Sequence, residues 1–149
     1  MTSPRMSLNH VAITLPPEEF TADVQKLLID FYGDVFGWYE YRSGEPGDPL
    51  ILAFGESRHY LYLLAGDPWL DAPSMDHFGV EVTSVEAIDE TLARARKYQE
   101  RDDRVVVIDK KSEPQRSTIG KVTLTNCYIG YLLPLLVELQ HIDVQPFDA

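Results

Sequence analysis

Two histidines in this sequence lie on predicted β-strands, where they could bind a ligand or transfer a proton. Residues 7–15 read SLNHVAITL and residues 74–83 read SMDHFGVEVT, so two similar strands carry His10 and His77. Alternation along each strand places the histidine on the less apolar face. Imidazole ligates metals and moves protons, but a lone histidine more often only makes a hydrogen bond within the fold.

A carboxylate interrupts the last apolar stretch, LLVELQ, at Glu138. An unpaired buried carboxylate is costly, so this position requires a partner. Glu81, two residues after His77 on the same face, is a reserve acid or ligand, although a carboxylate at the rim is the simpler interpretation. Thr125 and Asn126 in the preceding strand are further candidates to reach this face.

Each histidine strand is followed by a helical pattern. Residues 16–19 (PPEE) favour a helix start, and residues 83–86 (TSVE) have the form of a capping box. The predicted apolar stripes are Phe20, Val24, Leu27 and Phe31 in the first helix, and Ile88, Leu92 and Ala95 in the second. Each helix can cover the more apolar face of its strand, which leaves the histidine face open.

Three further strands complete each half, which gives a β-α-β-β-β order twice. In the first half the pattern predicts strands at 38–41, 50–54 and 60–65, with a turn-rich loop at 43–49. In the second half it predicts strands at 104–108, 121–128 and 135 to about 142, with a polar loop at 109–118. Module one covers about 6–66 and module two about 74–143, joined by the Pro-rich connector 67–73.

Composition limits the partners. The 149 residues are 44% hydrophobic, which suits one soluble domain with its own core. A formal net charge of -11 argues against nucleic acids and anionic membranes as partners. The N-terminus lacks the apolar core of a signal peptide, and the apolar run 128–139 is too short to span a bilayer. The single cysteine, Cys127, is expected to be a small buried strand residue, and the protein is expected in the cytoplasm.

Four short motifs follow one another along the chain: LNHVAI from residue 8, FYGDVFGW from 31, DHFGVEV from 76 and LVELQ from 136. Together they resemble the vicinal oxygen chelate superfamily of glyoxalases, extradiol dioxygenases, methylmalonyl-CoA epimerases, and fosfomycin- and bleomycin-resistance proteins. Each motif is short, and their order and spacing over nearly the whole chain carry the resemblance.

The resemblance implies an α+β fold: two βαβββ modules forming a cupped eight-stranded mixed sheet, with the helices on the convex face. It also implies a divalent metal held by His10, His77 and Glu138. Two imidazoles and a carboxylate suit Fe(II), Mn(II), Zn(II) or Ni(II) and leave positions open for substrate and water. His59 and His141 fall on the opposite strand faces and are expected to be structural.

Two departures from the family pattern bear on function. Where glyoxalases have a fourth, carboxylate ligand in module one, this chain has Tyr60 and Tyr62, either of which could occupy that position and hydrogen-bond a substrate. The turn at 129–134, IGYLLP, is apolar where many relatives have a polar turn. It would line a hydrophobic substrate entrance or pack against a second subunit, and the resemblance also implies a homodimer.

These features favour a metal-dependent enzyme acting on a small-molecule substrate, with extradiol-dioxygenase-like chemistry ahead of a glyoxalase- or epimerase-like lyase or isomerase. A metal-free protein that sequesters a ligand is the alternative. A phosphonate substrate is disfavoured because the strand faces named above carry no Arg or Lys.

Overall fold

The computed structural model describes residues 7–41, 47–55 and 59–147. The chain divides into two compact units, Met1–Asp71 and Ala72–Ala149. The elements of the first unit are β1 (His10–Leu15), α1 (Ala22–Phe36), β2 (Tyr39–Glu40), β3 (Leu50–Phe54) and β4 (His59–Ala65). Those of the second are β5 (His77–Glu81), α2 (Val85–Gln99), β6 (Val106–Gln115), β7 (Gly120–Gly130) and β8 (Leu136–Pro146).

Both units have one topology, which confirms the predicted α+β fold of two βαβββ modules. The described strands form two four-stranded mixed sheets, in the orders β1-β4-β3-β2 and β5-β8-β7-β6. In each sheet the first strand runs parallel to the last strand of its module, and the other pairs are antiparallel. The parallel pair therefore places the histidine strand beside the strand that closes the module.

Helix α1 starts later than the sequence indicated. Residues 17–19 form a turn, and the N-cap is Thr21, whose hydroxyl accepts a hydrogen bond from the Val24 N–H at 3.4 Å. The expected start at 16–19 is wrong because a residue before proline disfavours the helical conformation, and Thr21 supplies a side-chain acceptor. The helix ends at Phe36, and its C-cap Gly37 adopts the left-handed conformation with φ 72°.

Each helix packs against its own sheet. Helix α1 contacts β2 and β3, and α2, capped by Ser84, contacts β6, β7 and β8. The predicted stripe of α2 is confirmed, since Ile88, Leu92 and Ala95 are buried. Cys127 is buried in β7, as expected, and burial raises the pKa of its thiol to about 11. None of the described helices is long and apolar enough to cross a membrane.

The second sheet is longer than predicted. Strand β6 continues to Gln115, so the loop expected at 109–118 is wrong for most of its length, and β8 continues past Ile142 to Pro146. The extra residues are exposed and mostly polar, but β7 pairs with both strands along this length and supplies hydrogen-bond partners for their backbones. Pairing with β7 overrides the turn-like composition.

The apolar turn after β7 is held down on the fold. Tyr131 is buried, packs edge-on against Tyr98, and donates a 2.6 Å hydrogen bond to Asp102 Oδ2. Arg104 donates to both oxygens of the same carboxylate, at 2.9 and 2.7 Å. Since Ile129 is also buried, these two residues do not offer the surface that a substrate entrance or a second subunit would need, and the predicted homodimer then depends on the family resemblance alone.

This Asp102 clamp shifts the pKa values of its members. Hydrogen bonds from Arg104 are the main reason that the pKa of Asp102 lies well below its ordinary value. Burial, and then the hydrogen bond to Asp102, raise the pKa of Tyr131 far above its usual range. The carboxylate therefore stays ionised and the phenol neutral across the physiological range.

Asp102→Asn should lower the free energy of unfolding at pH 7 by about 1–2 kcal/mol, because it weakens hydrogen bonds to a charged group. The folded pKa lies below the ordinary 3.8, so this stabilisation is present above about pH 4 and is lost as pH falls through the folded pKa. Chemical denaturation at pH 7 and pH 2 measures both effects. The control is Asp103→Asn, an exposed neighbour, and equal losses at pH 7 in the two variants would contradict the clamp.

Candidate functional site

The open face of the second sheet contains a buried carboxylate. Glu138 lies on β8, between β5 and β7, and only 5% of its surface is exposed. Its Oε1 accepts hydrogen bonds from Asn126 Nδ2 at 2.5 Å and from the Tyr128 hydroxyl at 3.2 Å. Asn126 Nδ2 also donates to the Tyr128 oxygen at 3.2 Å, which closes a triangle of polar side chains. These contacts satisfy one carboxylate oxygen and fix the direction of the other.

Tyr128 contacts both predicted ligands of this module. Besides its hydrogen bond to Glu138, its ring meets the His77 ring edge-on, with centroids 5.0 Å apart. Burial, followed by the nearby Glu138 charge, raises the pKa of Tyr128. Its hydroxyl therefore remains a hydrogen-bond donor to the carboxylate at neutral pH.

His77 faces the second oxygen of the same carboxylate. Its Nδ1 lies 2.8 Å from the Met75 carbonyl oxygen, which can only accept, so Nδ1 carries a proton. In the neutral ring Nε2 then presents a lone pair, and it lies 3.5 Å from Glu138 Oε2. A neutral imidazole nitrogen and a carboxylate oxygen that face each other at this distance are donor types that one divalent metal ion binds.

Gly79 keeps the space in front of the carboxylate open. It pairs with Glu138 across the parallel β5–β8 ladder, and a Cβ atom at this position would lie 3.3 Å from Glu138 Oε2. A larger side chain would crowd the oxygen that faces His77.

The first module places an imidazole and a tyrosine side by side. His10 pairs with Tyr60 across β1–β4, and the two rings stack with centroids 5.0 Å apart and planes 5° apart. His10 Nδ1 lies 2.7 Å from the Asn9 Oδ1 acceptor, so this histidine too presents Nε2 in its neutral form. Each module thus fixes the tautomer of its histidine through an acceptor earlier in the chain.

Comparison of the two parallel ladders assigns the tyrosine that corresponds to Glu138. In module two, Glu138 pairs with the residue two positions after the histidine. In module one, Tyr62 pairs with Ala12, two positions after His10. Tyr62 is therefore the counterpart of Glu138, whereas Tyr60 corresponds to Leu136, which pairs with His77.

The remaining candidates lie elsewhere. Glu81 is exposed on the His77 face. Thr125 lies on the helix side of β7, where its hydroxyl forms a 2.7 Å hydrogen bond with the Ser112 hydroxyl. His141 Nδ1 contacts the Val82 carbonyl oxygen at 3.2 Å. Within residues 7–41, 47–55 and 59–147, no three His, Cys, Asp or Glu side chains form a group that could hold a metal ion. The second unit therefore provides two of the predicted metal ligands, His77 and Glu138, next to each other.

Two residues of this site were missed or left undecided from sequence. Tyr128 was not singled out, and Asn126 was a candidate without an assigned face. Both face Glu138 because β7 pairs Tyr128 with Glu138 and Asn126 with Gln140. Knowledge of the hairpin register would have identified them, since residues on one side of an antiparallel pair alternate in step.

The comparisons with known proteins agree with this fold. A model of the Glyoxalase/Bleomycin resistance protein/Dioxygenase superfamily matches residues 7–114. No curated protein sequence matches the chain.

Solved structures share the fold at low identity. A protein of Bacillus anthracis assigned to the glyoxalase family is 15% identical with a TM-score of 0.61, over 96% of this chain and 100% of that one. The fosfomycin resistance protein FosX of Listeria monocytogenes is 16% identical with a TM-score of 0.54, over 93% and 91%. A glyoxalase/bleomycin resistance protein/dioxygenase of Nocardioides is 18% identical with a TM-score of 0.53, over 94% and 85%.

Asn126→Ala should lower the free energy of unfolding by about 1–3 kcal/mol, because it leaves a buried carboxylate oxygen short of a donor. The same substitution should cost less in a Glu138→Gln background, where no charge needs that donor. Denaturant titration of wild type, both single variants and the double variant gives the coupling, which we expect to exceed about 0.5 kcal/mol. Additive effects would show that Asn126 acts independently of Glu138.

Proposed function

The chain belongs to the Glyoxalase/Bleomycin resistance protein/Dioxygenase superfamily, and on this premise we propose that it is a metal-dependent enzyme. It binds two adjacent oxygens of a small-molecule substrate and carries out extradiol-dioxygenase-like chemistry. A homodimer and a cytoplasmic location stay predictions.

The observation that supports a metal is the approach of His77 Nε2 to Glu138 Oε2 at 3.5 Å, with His77 Nδ1 and Glu138 Oε1 engaged elsewhere. A neutral imidazole nitrogen and a carboxylate oxygen are the donor types that Fe(II), Mn(II), Zn(II) and Ni(II) accept. We propose His10 as the third ligand because the family resemblance implies it.

The chain's own residues hold this donor pair in place. Asn126 and Tyr128 fix the carboxylate, and the Met75 carbonyl fixes the tautomer of His77. Such contacts orient metal ligands and raise their affinity. When bound, a divalent metal would supply Lewis acidity to the substrate oxygens.

The absence of a carboxylate on the corresponding strand of module one favours a dioxygenase over a glyoxalase. Glyoxalase chemistry, as the resemblance implies, uses a carboxylate there, whereas this chain has Tyr62 opposite Ala12. Tyr62 and Tyr60, both half-buried on the His10 face, are proposed to hydrogen-bond the substrate. A glyoxalase- or epimerase-like lyase or isomerase reaction is the less favoured enzyme.

A metal-free protein that sequesters a ligand is the second candidate. The same 3.5 Å contact between His77 Nε2 and Glu138 Oε2 supports this candidate if the two side chains form an ion pair without a metal.

The purified protein should bind Mn(II) or Fe(II) at one ion per chain. His77→Ala and Glu138→Ala should each weaken binding at least about 100-fold, because each removes an inner-sphere ligand. Affinity should fall as pH drops through about 6.5, since imidazole binds metal only when neutral. Elemental analysis and calorimetric titration at pH 7.5 and 5.5 measure this.

The matched control is His141→Ala, which removes a histidine from the opposite face of the Glu138 strand. It should bind metal like wild type. If wild type takes up no metal, the sequestering protein replaces the enzyme. If His10→Ala leaves metal binding intact while His77→Ala and Glu138→Ala weaken it, His10 is not a ligand and the assignment of His77 and Glu138 is unaffected.

The Fe(II)-loaded protein should consume one O2 per catechol and produce a ring-opened product, measured with an oxygen electrode and by absorbance. Tyr62→Phe should reduce the rate about tenfold or more, because a substrate hydrogen bond is lost. Metal uptake without oxygen consumption on catechols, together with turnover of a methylglyoxal–thiol adduct, would favour the lyase.

A further inference from the structure

Strand β6 contains a β-bulge next to the site. Ile108 pairs with Tyr128, but the next pair along the ladder is Lys111 with Asn126, so the register advances by three residues on β6 and by two on β7. A bulge of this kind changes the face on which the following side chains lie.

Two ion pairs to helix α2 show where the bulged residues point. Asp109 pairs with Arg96, and Lys110 Nζ lies 2.5 Å from Asp89 Oδ1. Because both partners belong to α2, Asp109 and Lys110 both face the helix side of the sheet. The pairs are largely exposed and add little stability, but they fix the direction of two consecutive side chains.

Lys111 consequently lies on the opposite face, with the site. Its cross-strand partner Asn126 is the residue that donates to Glu138, and paired side chains lie on one face about 5 Å apart. The next pair confirms the alternation, since Ser112 and Thr125 bond each other on the helix side. The sequence pattern had assigned Lys111 to a polar loop at 109–118, so it was not counted among the strand residues. The open face of this sheet therefore does carry a lysine.

The Lys111 ammonium forms a weak ion pair. Glu113 Oε1 lies 3.4 Å away, and both side chains are more than half exposed, so water screens the pair. Because the lysine side chain is flexible, Lys111 can give up its contact with Glu113 and pair with an anion bound at the sheet face.

We propose that Lys111 is a specificity residue that binds an anionic group of the ligand, so that the substrate carries a carboxylate, phosphonate or phosphate beside its two adjacent oxygens. This rests on the proposed function in taking the His77–Glu138 face as the ligand site. Lys110 is the natural comparison, since it is one residue away and points to the helix.

The test uses three probes with the same vicinal hydroxyls: catechol, 3,4-dihydroxybenzoate and 3,4-dihydroxyphenylphosphonate. Their Kd values are measured anaerobically by calorimetry on the Mn(II)-treated and the metal-free protein. Wild type should bind at least one charged probe about tenfold tighter than catechol, the effect of one charge-assisted hydrogen bond. The better charged probe identifies the anionic group.

Lys111→Met should remove this preference and leave the Kd for catechol within about twofold, whereas Lys111→Arg should keep most of it. Lys110→Met, with the same change in net charge, should keep it fully. The preference should also shrink with added salt.

The proposal is overturned if wild type shows no preference, if none of the probes binds in either state, or if Lys110→Met and Lys111→Met have the same effect. Failure of the proposed function looks different, because wild type would then take up no Mn(II) while the preference still appears on the metal-free protein.

Discussion

Burial of the Glu138 carboxylate is the constraint around which the second module is arranged. A charged group with 5% exposure must have partners, and three neighbours on two strands provide them. Asn126 and Tyr128 bind one oxygen, and His77 faces the other. Gly79 leaves the room that this arrangement needs. Replacing a buried charge by a well-packed apolar residue is often neutral or stabilising, so stability alone does not explain this carboxylate, which fits the cation-binding role proposed above.

The two modules share one backbone plan but place different residue types at the same position. In each module the strand that carries the histidine runs parallel to the last strand. On that last strand, the residue paired with the second residue after the histidine faces the open side. That residue is Glu138 in one module and Tyr62 in the other, a metal-ligand type and a hydrogen-bond donor type. The superfamily fold therefore sets where a functional side chain stands, and the residue type at that place decides which reactions remain open.

Three consecutive residues of strand β6 are divided between the two faces of the sheet. Its bulge directs Asp109 and Lys110 to the helix, where α2 offers Arg96 and Asp89, and leaves Lys111 with the polar site residues. In a chain with a net charge of -11, Lys111 on this face is the basis of the anion preference proposed above. Helix packing and site chemistry are thus coupled through one irregularity of the ladder.

The sequence by itself determined what depends on neighbours along the chain. Alternation placed His10 and His77 on open faces, helical periodicity found the buried stripe of α2, and four ordered motifs predicted the two-module fold. The tertiary structure decided what depends on pairing between strands. It put Asn126 and Tyr128 beside Glu138, chose Tyr62 over Tyr60 as its counterpart, extended β6, and set the face of Lys111. Register follows from turn geometry and from a bulge, and a shift of one residue reverses every face, so local patterns could not fix it.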